Sequence, residues 1–294
     1  MHGFCNLCTK FRELSQDHVP PQGSTSLRRA ELKNLLDAFR ATRDGQQARY
    51  HEGAGYLPRS RRRLTQNGVK FLSICKDCNN RLLGGRYDPE INRISAEISS
   101  LAKAAAGGLL VLPERVSVTV KTHFLLRGII GHLIASIQSP DPSKPLPAYQ
   151  LDKLAALRDY FFDETLPLPP NVTFYYWLYP YHETTIVKSL GISSRDGESH
   201  ILGDLLKFFP VAYYVVYSSN GGLELDVASI TGGDCNSLNC HVQLQFDLRN
   251  IAPKNWPELQ RTSSFYTVMP LQPTIVASAS VARGKKGGRS CSPD

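Results

Sequence analysis

Two pairs of cysteines with the same short spacing constrain this chain more than any other feature. Cys5 and Cys8 are separated by two residues, and Cys75 and Cys78 repeat that spacing much later in the sequence. Two such pairs are a strong sign of one tetrahedral zinc site, because four thiolates satisfy Zn²⁺ completely and leave no open position for catalysis. A purely packing role for the four thiols is the weaker alternative. The spacing therefore predicts a structural zinc that draws two distant segments together.

Polar side chains adjoin both cysteine pairs. Asp17 and His18 follow the first pair, and Asn79 comes directly after Cys78. Carboxylate and amide oxygens suit a hard cation such as Mg²⁺ or Mn²⁺, and histidine suits a general base near neutral pH. Neighbouring residues in a strand point to opposite faces, so Asp17 and His18 can share one site only if their strand ends or bulges there. Pro20 favours such an end. Asn79 taken alone could be an ordinary helix N-terminal residue.

The positive charge of the chain is concentrated beside these residues. Residues 1–103 contain 18 Lys and Arg against 10 Asp and Glu, a net charge of +8 that equals the charge of the whole chain. A basic segment joined to a neutral one favours a polyanionic partner, and nucleic acid is the natural example. The predicted phosphate contacts are Arg59, Arg61, Arg62, Arg63 and Arg81. For the run from 59 to 63, a solvated loop is an equally weighted alternative.

Composition and the N-terminus predict neither secretion nor membrane insertion. The hydrophobic fraction of 41% is that of a globular protein with a sizeable core. The first residues lack the pattern of a signal peptide, and the longest apolar stretch, 124–137, is shorter than the roughly 20 residues of a membrane-spanning helix. The sequence therefore predicts a soluble cytoplasmic protein with no membrane partner. Cys235 and Cys240 are predicted to be buried reduced thiols in a β-hairpin, with metal binding together with His241 as the less favoured alternative.

Hydrophobic spacing predicts an α+β fold in the first part of the chain. Strands are predicted over 11–19 and 69–74. A helix is predicted from Cys78, interrupted at Gly84-Gly85 and restarted over 89–106. Between the two cysteine pairs, 27–43 has the apolar spacing of an amphipathic helix, and 46–68 has the composition of a polar loop.

The second part of the chain predicts an α+β domain with an antiparallel sheet. Helices are predicted over 122–137 and 150–162, and the predicted strands are 172–180, 184–190, 211–218, 223–230 and 241–248. An aromatic run predicts a strand with one buried face, with a base-stacking platform as the less favoured alternative; it comprises Tyr175, Tyr176, Trp177, Tyr179 and Tyr181. Packing or surface roles are predicted for four isolated histidines, which are His123, His132, His182 and His200.

These patterns divide the chain into three regions. Residues 1–105 form a zinc-stapled module, 106–277 form the α+β domain, and 278–294 form a basic, Gly/Ser-rich disordered tail. For the middle region we predict sensing, substrate recognition or oligomerisation, through a regulatory ligand or a homo-oligomeric contact.

Residues 4–88 resemble the HNH endonucleases, a family built on a zinc-bearing ββα-metal (treble-clef) module. The matching strings are CNLC at 5–8, LSQDHVPP at 14–21 and CKDCNNRLLGGRYD at 75–88. The resemblance implies that Asp17 and Asn79 bind a catalytic Mg²⁺ or Mn²⁺, that His18 activates water, and that the cysteines bind a structural Zn²⁺. It also implies hydrolysis of phosphodiester bonds, most readily in DNA, and a role in restriction, phage defence or mobile elements.

The chain departs from the usual family pattern in three ways. The central Asn of the family has no clear counterpart, since Asn67 lies slightly far from Cys75. The interval between the two halves is long, and Asn79 stands where many members have His. A zinc-stabilised nucleic-acid-binding module without catalytic activity therefore stands as the alternative to an active nuclease.

Overall fold

The computed structural model describes residues 1–24, 30–34, 63–65, 69–106, 113–139, 141–194, 196–231, 237, 239–258, 266–270 and 275–279. The fold is mixed α+β, with antiparallel strand pairing in every sheet. The strands are β1 His2–Phe4, β2 Phe11–His18, β3 Ala30–Asn34, β4 Arg63–Thr65, β5 Lys70–Cys75, β6 Arg115–Lys121, β7 Thr173–Leu178, β8 Glu183–Ser194, β9 His200–Phe208, β10 Val211–Asn220, β11 Ala228–Ile230, β12 His241–Asp247, β13 Tyr266–Pro270 and β14 Ile275–Ala279. The helices are α1 Asp77–Tyr87, which is π-helical, α2 Asp88–Ala106, α3 Thr122–Ala135 and α4 Ala148–Phe162.

A three-stranded sheet and the helix that follows it carry the first part of the chain. The strand order is β1-β2-β5, and β5 leads almost directly into α1. The register of β2 against β5 shifts between Ser15 and Gln16, because Ser73 is an extra, unpaired residue in the β5 strand at that point. We call β2, β5 and α1 the ββα unit. The strands predicted over 11–19 and 69–74 are confirmed, because both alternate or bury side chains as strands do.

The chain is helical without a break from α1 into α2, so the interruption predicted at Gly84-Gly85 is wrong. Glycine in a helix costs about 1 kcal/mol, which tertiary packing can offset. Here α1 packs closely against α3 at the neighbouring residue Leu83. A Cβ atom on Gly131 would lie 2.5 Å from a Leu83 methyl group, so only glycine lets α3 approach α1 this closely.

The largest sheet has nine strands and draws on both ends of the sequence. Its order is β11-β7-β10-β9-β8-β14-β3-β4, and β13 pairs with the second half of β8. The helix predicted over 27–43 is wrong at Ala30–Asn34, since β3 pairs with β14 and β4 and obtains its hydrogen bonds there. Likewise, 63–65 is a strand within the predicted loop 46–68. The remainder of both ranges lies outside the described residues.

Most of the predicted elements of the second part are confirmed. They are the helices α3 and α4 and the strands β7, β8, β10 and β12. Only 228–230 of the strand predicted over 223–230 forms, while β6, β9, β13 and β14 were not predicted. β14 also extends two residues into the predicted disordered tail, and 280–294 lies outside the described residues.

The aromatic run is buried on both faces of the large sheet. Tyr176 belongs to the core that faces the helices, whereas Tyr175 and Trp177 belong to a second buried cluster. The prediction of a single buried face is therefore wrong, because segments on the far side cover the sheet; Trp256, for example, packs edge-on against Trp177 at 4.7 Å. Rings buried in this way present no platform for bases.

One continuous hydrophobic core joins the first part of the chain to the second. It contains Leu14 and Phe71 of the three-stranded sheet, Leu83 of α1, and Leu126 and Phe161 of α3 and α4. The domain boundary at 105/106 stays a prediction. In the described residues, however, α3 is packed directly against the ββα unit.

Cys240, at the start of β12, is disulfide-bonded, so its assignment as a reduced thiol is wrong. Its partner lies outside the described residues.

Candidate functional site

The four cysteines predicted as zinc ligands lie together; we call them the cysteine cluster. Cys5 and Cys8 lie in and beside the turn between β1 and β2, Cys75 ends β5, and Cys78 lies in the first turn of α1. Their sulfur atoms lie within 4.8 Å of one another. A zinc tetrahedron with Zn–S bonds of about 2.3 Å has sulfur atoms about 3.8 Å apart. The cysteine cluster can therefore hold one Zn²⁺ ion, in accordance with the spacing of the two pairs.

The sulfur atoms are also oriented as metal ligands rather than as disulfides. All four cysteines are free, and the Sγ atoms of Cys8 and Cys75 lie 3.9 Å apart, well beyond a covalent bond. The backbone N–H of Cys75 donates to Cys5 Sγ at 3.3 Å, and that of Cys8 donates to the same atom at 3.5 Å. Backbone donors of this kind stabilise a thiolate.

Asn79 links the first turn of α1 to β2 at Ser15 and Gln16, opposite the bulge in β5. Its side-chain nitrogen donates to Ser15 Oγ and to the Gln16 carbonyl, both at 3.0 Å. Because a carbonyl oxygen can only accept, the Gln16 contact fixes which end of the Asn79 amide faces β2. The role of Asn79 as an ordinary helix N-terminal residue therefore does not fit, and its side-chain oxygen is directed away from these two contacts.

Asp17 and His18 occupy successive ladder positions at the end of β2. Asp17 pairs with Phe71 and His18 pairs with Lys70, and cross-strand partners share a face. Asp17 is buried with Phe71, while His18 is half-buried with Lys70 on the other face. The structure thus brings Asp17, His18 and Asn79 to one end of β2, although the side chains of Asp17 and His18 point to opposite faces.

The carboxylate of Asp17 is engaged by a histidine that sequence reasoning set aside. Asp17 Oδ2 lies 3.2 Å from Nδ1 of His132 on α3, and His132 Nε2 lies 2.8 Å from Oδ1 of Asp88 at the start of α2. The His132 side chain is 0% exposed and that of Asp17 4%. We call these three residues the Asp–His–Asp bridge. His132 is therefore not isolated, as the sequence suggested, but is buried between two carboxylates.

Electrostatics determine the charge of the Asp–His–Asp bridge. Burial by itself lowers the pKa of His132, but the adjacent carboxylates of Asp88 and Asp17 outweigh it and raise that pKa to about 10. His132 is therefore a cation at neutral pH. One signal in the sequence could have identified it: a histidine in the longest apolar stretch must find a polar partner once it is buried.

The predicted nucleic-acid contacts are only partly described. Arg59, Arg61 and Arg62 lie outside the described residues, as does Asn67, and Arg63 lies in β4. Arg81 is exposed and forms two hydrogen bonds with Asp77, at 2.7 and 3.2 Å, so it is paired within α1.

A scan against protein-family models and searches of curated proteins and of solved structures found no match for this chain. The family resemblance therefore depends on the residues and geometry of the ββα unit alone. Within the described part of the chain, all helices are too short or too polar to cross a membrane.

Proposed function

We propose that this protein is a metal-dependent endonuclease of the HNH type, with the ββα unit as a zinc-stapled treble-clef module. The observation that carries the proposal is the contact of Asn79 with the Gln16 carbonyl, two positions before His18. It fastens the residue after the last cysteine beside the Asp-His pair, although Asn79 and Gln16 are 63 positions apart in sequence. The net charge of +8 on residues 1–103 supports a polyanionic substrate.

In this function the cysteine cluster is structural, and the chemistry belongs to oxygen and nitrogen ligands. Asp17 and Asn79 would hold Mg²⁺ or Mn²⁺, which stabilises the negative charge that develops on the phosphate. His18 takes the proton of the attacking water. A carboxylate has two oxygens, so Asp17 can bond to His132 through Oδ2 while Oδ1 serves another partner.

A second function is favoured by one specific observation. Asp17 is buried in the Asp–His–Asp bridge and faces away from His18. If the bridge leaves no oxygen of Asp17 available to a metal, the chain is a zinc-stabilised module that binds nucleic acid and does not cut it. The predicted contacts with a homo-oligomeric partner or a regulatory ligand apply equally to both functions.

Incubation of the purified protein with supercoiled plasmid and Mg²⁺ or Mn²⁺ separates the two functions. We expect nicked or linear DNA, and we expect His18→Ala to reduce the rate about 10²- to 10⁴-fold, because it removes the general base. His200→Ala is the matched control, since His200 is exposed at the start of β9. Cleavage by His18→Ala at the wild-type rate would refute the assigned base. Binding without cleavage under either metal would establish the binding module.

The basic run from 59 to 63 has its own test. Replacing its four arginines with alanine should flatten the dependence of DNA affinity on salt, by roughly 0.9 in the log–log slope for each phosphate that is no longer neutralised. Arg249→Ala, which changes an exposed arginine of the second part, is the control. An unchanged slope would identify the run as a solvated loop.

A further inference from the structure

The Asp–His–Asp bridge connects the proposed site to a helix outside the ββα unit. We propose that His132 is a positioning residue that orients Asp17 for metal binding, so that α3 is part of the nuclease site. This inference rests on the proposed function, because that function is what assigns Asp17 as a metal ligand. The resemblance to HNH endonucleases covers residues 4–88 and implies nothing about residue 132.

Both ring nitrogens of His132 face carboxylate oxygens, and this geometry defines the contacts. A carboxylate accepts hydrogen bonds, so the two contacts, at 3.2 and 2.8 Å, both use N–H donors and the ring is an imidazolium. Because the two carboxylates contact different ring nitrogens, on opposite sides of the ring, the three residues cannot all bind one metal ion. The ring instead holds Oδ2 of Asp17 in a fixed direction.

The far end of the bridge is anchored in the helical core. Asp88 directly follows Tyr87, whose hydroxyl donates to the Phe161 carbonyl at 3.2 Å and whose ring packs edge-on against Phe161 at 5.3 Å. His132 lies next to Gly131, where α3 approaches Leu83 most closely. Neither Asp88 nor His132 can shift without disturbing this packing, and Asp17 is held by a rigid partner.

Stability alone does not account for three charged groups in this position. Replacing a buried ion pair with apolar side chains of similar volume is often neutral or stabilising, because burial of the charges is costly. The charged hydrogen bonds instead fix the orientation of the Asp17 carboxylate. His132 orients the Asp17 carboxylate from one side. Asn79 is fixed nearby, because its side chain contacts the carbonyl of Gln16, the residue before Asp17. Groups that hydrogen-bond to metal ligands commonly tune metal affinity in this way.

Two substitutions of His132 separate positioning from simple structural support. The amide nitrogen of Asn reaches about as far as Nδ1, so His132→Asn keeps a donor toward Asp17 and removes the hydrogen bond to Asp88. His132→Gln keeps a donor near the Nε2 position and removes the hydrogen bond to Asp17. We expect His132→Gln to raise the Mn²⁺ concentration for half-maximal plasmid cleavage by about 10- to 100-fold. His132→Asn should cause a clearly smaller increase, although each variant retains only half of the bridge.

Equal increases in the two variants, or no increase in either, would overturn the positioning role, as a structural support would not discriminate between them. Unfolding midpoints in urea, measured in parallel, show that both variants are folded at the assay temperature.

A measurement on the unaltered protein covers the case in which the variants do not fold. In protein labelled with ¹⁵N-histidine, Mn²⁺ bound to Asp17 should broaden the ring signals of His132 strongly and leave those of exposed His200 sharp. Plasmid cleavage without broadening at His132 would overturn the positioning role and keep the nuclease. Broadening at His132 without cleavage by any metal would overturn the nuclease and keep Asp17 as an oriented metal ligand.

Discussion

The cysteine cluster and the Asp–His–Asp bridge are both buried polar sites, but they are assembled in different ways. Cys5 and Cys8 come from the connection between β1 and β2, and Cys75 and Cys78 come from the junction of β5 and α1. The bridge combines residues 17, 88 and 132, with partners 115 and 44 positions apart in sequence. The comparison shows that the cysteine cluster draws all of its ligands from the β1–α1 region, whereas the orientation of Asp17 depends on α3. The ββα unit is therefore not a self-sufficient site.

The two sites also balance their charges differently. Four thiolates in the cysteine cluster need a cation from solution, while the carboxylates of the bridge have the imidazolium of His132. The cysteine cluster should consequently depend on metal for its charge balance, whereas the bridge should not. The following experiments test this contrast, beginning with the largest expected effect.

Loss of zinc should unfold the first part of the chain. In zinc-finger peptides the ion contributes about 10–16 kcal/mol of apparent folding free energy. The double variant Cys75→Ser/Cys78→Ser should lose its zinc and become sensitive to proteolysis within residues 1–106. Metal analysis should find about one Zn²⁺ per chain in the wild-type protein and in a control with Asn80→Ser, which changes an exposed residue of the same turn. A folded, protease-resistant double variant without zinc would show that the cysteine cluster only packs.

Breaking the bridge should be less damaging but still severe. Asp17→Ala leaves the His132 cation buried against Asp88 alone, and removing one partner of a buried pair costs about 3–5 kcal/mol. Zinc content should not change, since the cysteines are untouched. The double variant Asp17→Ala/His132→Leu removes both partners. Its loss of unfolding free energy, measured in urea, should be smaller than the sum of the losses in the two single variants. Strict additivity would mean that the two side chains do not interact.

The contact between α1 and β2 should have a moderate effect. Asn79→Ala removes the two hydrogen bonds to Ser15 Oγ and the Gln16 carbonyl, at about 1 kcal/mol each. Asn80→Ala, one residue further along and exposed, is the matched control and should be neutral. If the two variants unfold at the same urea concentration, Asn79 does not hold β2 against α1.

A surface ion pair between the same two regions should have the smallest effect. Lys76 Nζ lies 2.8 Å from Glu13 Oε1, and both side chains are about half exposed, at 58% and 49%. Water and salt screen such pairs, so Glu13→Gln should not change the urea midpoint at physiological salt. A measurable loss of stability there would mean that surface charge, and not only the buried contacts, joins β2 to α1.

Local patterns were sufficient to predict much of the ββα unit. Strands β2 and β5, the start of α1 at the second cysteine pair and the position of Asn79 all follow from short-range spacing. The errors arose where tertiary contacts compete with local preference. Residues 30–34 have helical spacing but form β3, since β14 and β4 supply backbone partners that lie far away in sequence. Gly84-Gly85 remains helical within an α1 that packs against α3 at the neighbouring Leu83.

The cysteine spacing alone indicated the zinc site, because metal ligands on one turn must be a fixed few residues apart. It also predicted that the segments carrying Asp17, His18 and Asn79 would come together, in accordance with the contact of Asn79 with the Gln16 carbonyl. The direction in which Asp17 points could not be inferred in the same way. It depends on the burial of His132, and a buried cation takes its partners from whatever elements pack around it, at any distance along the chain. Only the packing of α3 between β2 and the start of α2 showed that Asp17 and Asp88 are those partners.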